Sequence, residues 1–186
     1  GQTRAVEMMY NDESRYLDDV SAAGFVKYYA DGKYAFAALL PNKGVSIADY
    51  TASLSGDRLM NILNNAQVTE VRTALPKFES DYSVEMSDIL KSMGMTNAFD
   101  ADKADFTKLG QSDGNIYISR VLHKTYIAVD EKGTKAGAAT AVEMSATSAA
   151  LEEPKTVYLD RPFVYMLIDC KTNLPIFIGT LTDTGK

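Results

Sequence analysis

The chain has 186 residues, 46% of them hydrophobic, a length and apolar share that fit one compact domain with a sizeable core. Its 25 acidic against 19 basic residues give a net charge of −6, and no segment carries the basic stripe of a nucleic-acid binder, so nucleic acid is excluded as a partner. The longest apolar runs, "FVYMLI" and "PIFIG", are far too short for a membrane-spanning helix, so no membrane partner is expected.

In chain order, strands dominate. The start, "GQTRAVEMMY", lacks the charged and apolar regions of a signal peptide and is silent about export. "GFVKYYADGKYAFAALLPNKG" reads as two strands joined by a two-residue turn at Asp31-Gly32, with Pro41 and Gly44 closing the second. "SIADYTASLSGDRLMNILNNAQ" has helical spacing in Leu54, Leu59, Ile62 and Leu63, with Ser55 or Asp57 as the cap. "VTEVRTALPKFESDYSVEM" returns to alternation, setting Val68, Val71, Thr73 and Leu75 apart from Glu70 and Arg72, with Pro76 as an interruption. "DYSVEMSDILKSMGMTNAF" reads as a helix with an apolar face of Met86, Ile89, Leu90 and Met93, ended near Gly94. "NIYISRVLHKTYIAVDE" is rich in branched and aromatic residues and reads as one long strand. Near the end, "TVYLDRPFVYMLIDCKTNLPIFIGTLTD" reads as two strands around a turn at residues 171–173, the second buried on both faces.

Catalytic chemistry finds no support. Cys170 is alone, which excludes an intramolecular disulfide and a zinc cluster; a buried or half-buried spectator thiol is expected. His123 is the single histidine, so no two-histidine metal site can form within the chain. On a strand, it is expected to be a buried histidine satisfied by hydrogen bonds rather than a triad base. No nucleophile elbow, phosphate loop or EF-hand is present, and no catalytic residue, metal or cofactor is assigned.

The segment "EKGTKAGAATAVEMSATSAALEEP", residues 131–154, is too apolar for an ordinary loop and too small in its side chains for an ordinary core element. Between 134 and 146 its even positions (Thr134, Ala136, Ala138, Thr140, Val142, Met144 and Ala146) are all small or apolar. Its charges, Lys135 and Glu143, are both odd. Successive strand residues point to opposite faces, so in a sheet this segment would bury its even face and leave both charges in water. An edge strand or a flexible linker fits this parity equally.

Here the residues resemble the serpin family. "EKGTKAGAATA" (131–141) is similar to the hinge of an inhibitory serpin, and "VYLDRPFVYML" (157–167) to the family signature. Seven further pieces follow in the family's order: "VEMMY", "ALLPNKG", "LPKF", "MGMTNAFD", "ADFTKL", "ISRVLHKTYIAVDE" and "PIFIGTL". They span the whole chain and correspond to the C-terminal half of a serpin. The resemblance implies an α+β fold, mostly antiparallel sheets with a few helices, over residues 1–186. It implies a hinge and reactive loop at about 131–156. As one half of the family's fold, the chain is expected to be incomplete and inactive as an inhibitor on its own.

The implied function is suicide inhibition of a serine protease by loop cleavage and strand insertion, outside the cell; a binding or carrier protein that never inserts its loop is the alternative. The hinge residues would be Glu131, Gly133, Thr134, Ala136, Ala138 and Thr140, and the reactive bond Thr147–Ser148, with Leu151 as a second candidate. Small side chains there suit an elastase-like or subtilisin-like target. Glu131 resembles the family glutamate that pairs with the lysine of "LPK", here Lys77, as a latch. His123 resembles the histidine that helps hold the large sheet closed. The strand bearing it should present an open edge, predicted to be covered by the reactive segment, covered by a neighbouring copy in self-association, or left disordered.

Overall fold

The computed structural model describes residues 5–110, 112–131 and 153–183. The strands in chain order are β1 (Met8–Asp19), β2 (Ala22–Tyr28), β3 (Tyr34–Pro41), β4 (Gln67–Pro76), β5 (Phe78–Glu85), β6 (Leu122–Val129), β7 (Lys155–Tyr158), β8 (Phe163–Asp169) and β9 (Pro175–Leu181). The described helices are α1 (Ile47–Ser53), α2 (Gly56–Asn64) and α3 (Ser87–Ser92), with a single 3-10 turn at Asn97–Phe99. The chain forms two compact units, one of Gly1–Phe78 with Ala128–Lys186, the other of Glu79–Ile127.

The first unit is built on a seven-stranded sheet in the order β7-β4-β1-β2-β3-β8-β9. Every pair is antiparallel except β4–β7, which is parallel. Within it, between β2 and β8, β3 is buried from Ala35 to Pro41. Its alanines at 35, 37 and 38 leave room for large neighbours: Ala38 stands opposite Phe25 on one side and Tyr165 on the other. One sheet face packs Leu17, Val26, Leu39 and Met166 against Tyr50, Leu59, Ile62 and Leu63 of the two helices. Six aromatic rings cluster elsewhere in this unit, with Tyr165 close to Phe36, Phe78, Phe163 and Phe177, and Phe25 beside Phe36.

The expected hairpin forms, with Gly32 at φ 63 where a side chain would be strained. The Tyr29 N–H donates to the Tyr34 carbonyl (3.0 Å), so the turn is wider than a two-residue one. The helix expected after it forms as α2, with Ser55 as its cap, and a second short helix, α1, precedes it. Leu54 is extended at φ −86, ψ 91, and Ser55 then accepts from the Arg58 N–H to start α2, while Ser46 caps α1 by accepting from the Asp49 N–H. Val68 was expected inside but is 71% exposed, because it shares its parity with Glu70 and Arg72. The strand buried on both faces is β8, not β9: Phe163 to Met166 are all buried, whereas Ile176 and Ile178 on edge strand β9 are more than half exposed.

In the second unit β5 and β6 make a two-stranded sheet. Of the helix expected from 81 onward, residues 81–85 belong to β5, and the remainder forms the short α3, which Gly94 (φ 103) terminates as expected. Ile89 on α3 and Met93 just after it are exposed. The long strand expected over 115–131 forms only from Leu122, because the preceding residues bond to loops instead of to a ladder. The Asn115 side chain donates to the carbonyls of Ala101 and Ala104 (both 2.8 Å), the Ile118 N–H to Ala98 (2.9 Å), and the Val121 N–H to Ser87 Oγ (3.0 Å).

Candidate functional site

The small-residue segment runs between two anchor points, one at Lys77 just after β4 and one along β4 itself. At its start, Lys77 is the single residue between β4 and β5. Its N–H donates to the Glu7 carbonyl (3.0 Å), extending the β1–β4 register in which Met8 faces Pro76. Its ammonium nitrogen lies 2.5 Å from Glu131 Oε1 and 2.6 Å from Glu7 Oε1. The expected Glu131–Lys77 pair therefore forms, with a third member, Glu7, that the sequence did not flag. Lys77 is 27% exposed and Glu131 52%. The Lys77 hydrogen bond holds the Glu131 carboxyl below its ordinary range, and the bonds to Glu131 and then Glu7 hold the Lys77 ammonium above its own.

At the far end, β7 runs parallel to β4, with Lys155 beside Val71 and Tyr158 beside Ala74; the Leu159 N–H then donates to the Ala74 carbonyl (2.8 Å). Val157, Leu159 and Phe163 are buried. Arg161 fastens the turn into β8 by donating to the Pro41 carbonyl from Nε (3.1 Å) and Nη2 (2.8 Å). Lys155 sits 5.7 Å over the Tyr16 ring. From Val71 to Lys77 is roughly 20 Å of strand. The chain between the anchors, residues 132–154, could reach roughly 75 Å if extended, several times that separation.

The structure brings Glu131 and Lys77 together. It places His123 on β6 with its side chain exposed, which corrects the expected burial: the residue lies in the outward part of a two-stranded sheet rather than in a covered one. Gly133, Thr134, Ala136, Ala138, Thr140, Thr147, Ser148 and Leu151 lie outside the described residues. Cys170 is half-buried against the core; burial first, then the charges of Asp169 and Asp31, push its thiol upward and away from thiolate reactivity. Among the described residues no strand other than β5 pairs with β6.

These features define a class of protein: a mainly β body that carries a long small-residue segment between fixed anchors. The chain belongs to the serpin (serine protease inhibitor) family, whose pattern matches residues 1–184. It is 33% identical over 181 residues to an uncharacterized serpin-like protein of Thermococcus kodakarensis, covering 96% of this chain and 42% of that protein. Among solved structures it is similar to tengpin, a thermophilic serpin, in its native state (50% identity, TM-score 0.81, 96% of this chain and 46% of that one). It is also similar to the latent state of tengpin (42% identity, TM-score 0.79, 97% and 47%). The chain thus spans less than half the length of the curated relatives it matches. The family is one of protease inhibitors.

Proposed function

We propose that this chain is the loop-bearing C-terminal part of an inhibitory serpin, and that its 131–156 segment is the reactive loop of a suicide substrate. The observation that carries the reading is the pair of anchors at and just after β4: β7 beside Val71–Ala74 and Glu131 at Lys77, with the small-residue chain between them. A serine protease attacks near Thr147–Ser148 and forms an acyl-enzyme. The cut strand then inserts into a sheet with Thr134, Ala136, Ala138 and Thr140 turned inward, and the displaced protease loses its oxyanion hole and triad geometry.

Insertion competes with deacylation, so its driving force matters. About a dozen new ladder positions at a net ~0.5–1.5 kcal/mol each supply on the order of 10 kcal/mol, comparable to the stability of a whole domain. The uninserted state therefore persists only behind a kinetic barrier. The small residues around 147 favour an elastase-like or subtilisin-like enzyme over one that requires Arg or Lys. In this reading the whole serpin is secreted, the chain alone does not inhibit, and the free side of β6 is where a strand is added, either the cut loop or the loop of another copy.

The test is to mix the whole serpin with elastase-type and subtilisin-type proteases and run the products on denaturing gels. A covalent complex that survives SDS is the expected result. Quantitative loop cleavage with no complex would instead establish a serpin-fold binding or carrier protein.

A further inference from the structure

We propose that Glu7 is a positioning residue for loop insertion: it shares Lys77 with Glu131 and thereby speeds the departure of the hinge from its latch. The inference rests on the inhibitor reading above and adds to it a residue that acts through Lys77.

The geometry makes Glu7 and Glu131 rivals. One ammonium serves both carboxylates, at 2.6 Å and 2.5 Å. Their bonded oxygens are therefore no more than about 5 Å apart, close enough for like charges to repel. The rivals differ in how they are held. Glu7 is pinned to the sheet body, because its carbonyl accepts from the Lys77 N–H and the next residue, Met8, is in register with Pro76. Glu131, the first of the hinge residues, lies two positions beyond the end of β6 and outside any ladder.

Two consequences follow, with the same sign. While the latch is closed, the Glu7 charge weakens the hold of Lys77 on Glu131. As the latch opens, Lys77 keeps a partner in Glu7, so its ammonium is not left unpaired and part of the cost of separation is offset. A serpin without the Glu7 charge has a tighter closed latch and a less favourable open one, and its hinge leaves more slowly. Because the Glu7 side chain is 73% exposed, the effect is that of a surface pair, a rate change of about two- to fivefold.

The experiment uses the whole serpin and a small-residue-preferring elastase. Insertion is timed by stopped flow with an environment-sensitive dye on a Ser145→Cys thiol in a Cys170→Ser background. The same samples yield the number of inhibitors consumed per protease inactivated and the rate of loop cleavage. Glu7→Gln is expected to slow insertion about two- to fivefold and to leave the cleavage rate unchanged, with Glu7→Asp restoring most of the lost rate. The Glu7→Gln effect should shrink at 1 M salt and disappear in a Lys77→Ala background, which a merely structural role of Glu7 would not produce. Unchanged or faster insertion in Glu7→Gln, or the same slowing without Lys77, overturns the proposal while leaving the inhibitor reading intact. Parent protein that is cleaved without forming a covalent complex overturns both.

Discussion

Arg58 and Asp19 show what a single ion pair contributes when it is not at the surface. Arg58 on α2 donates to both Asp19 oxygens, from Nε at 3.1 Å and Nη2 at 2.6 Å, and its guanidinium lies 5.6 Å over the Tyr50 ring. The Asp19 side chain is only 6% exposed. Burial works to raise its carboxyl, but the Arg58 hydrogen bonds and charge outweigh that and hold it below the ordinary 3.8. A carboxyl depressed in the folded state adds stability above that ordinary value and loses it as pH falls through the folded one. Arg58→Ala is expected to cost about 2 kcal/mol near neutral pH, less than for a fully buried pair because Arg58 keeps some solvent contact. Urea titrations of the serpin should show that cost, and show it shrinking as pH falls below 3.8. The Lys77–Glu131 pair, half exposed at Glu131, belongs to the weaker class of surface pairs. Neither Glu7 nor Asp19 was legible as a partner. Each bonds to a residue 70 or 39 positions away, and local pattern carries no information at that distance.

At the scale of elements, alternation and turn chemistry were readable where one strand face is plainly apolar, and misread where it is not. The β2–β3 hairpin announced itself through Asp31-Gly32, and β4 through Val71, Thr73 and Leu75. Ser55 was legible as a cap and starts α2, but the short α1 before it, Ile47–Ser53, gave no separate signal in the spacing. The nearly all-apolar sequence of β9 suggested two covered faces, but only β8 lies beside it in the described sheet. Close packing of the central strands has its own signature in Gly24, where a Cβ would stand 2.1 Å from the Ala38 carbonyl oxygen. Gly24→Ala must push β2 from β3 and is expected to cost about 3 kcal/mol; thermal unfolding of the variant beside its parent measures it. Gly179 is a milder case, since the nearest obstacle is the Tyr165 hydroxyl at 2.6 Å rather than backbone.

For the whole molecule, the proposed function makes inhibition a race between strand insertion and deacylation, in which the even-numbered residues from 134 onward set the outcome. Ala136→Arg puts a charged side chain on the face that must be buried, a penalty insertion cannot absorb without slowing. The variant should be cleaved at an unaltered rate yet yield little covalent complex, a shift from inhibitor to substrate visible on denaturing gels. Ala139→Arg, on the outward face, should keep its complex and so serves as the control. The sequence by itself determined the small-residue face of 134–146, the dominance of strands, and the ordered motifs that mark the family, because these lie in patterns a few residues long. Only the tertiary structure decided that β7 joins β4 in parallel, that Arg161 reaches Pro41, and that Glu7 and Glu131 meet at one lysine. Those contacts join residues far apart in the chain, and which of them meet is settled by how the strands are ordered in the sheet.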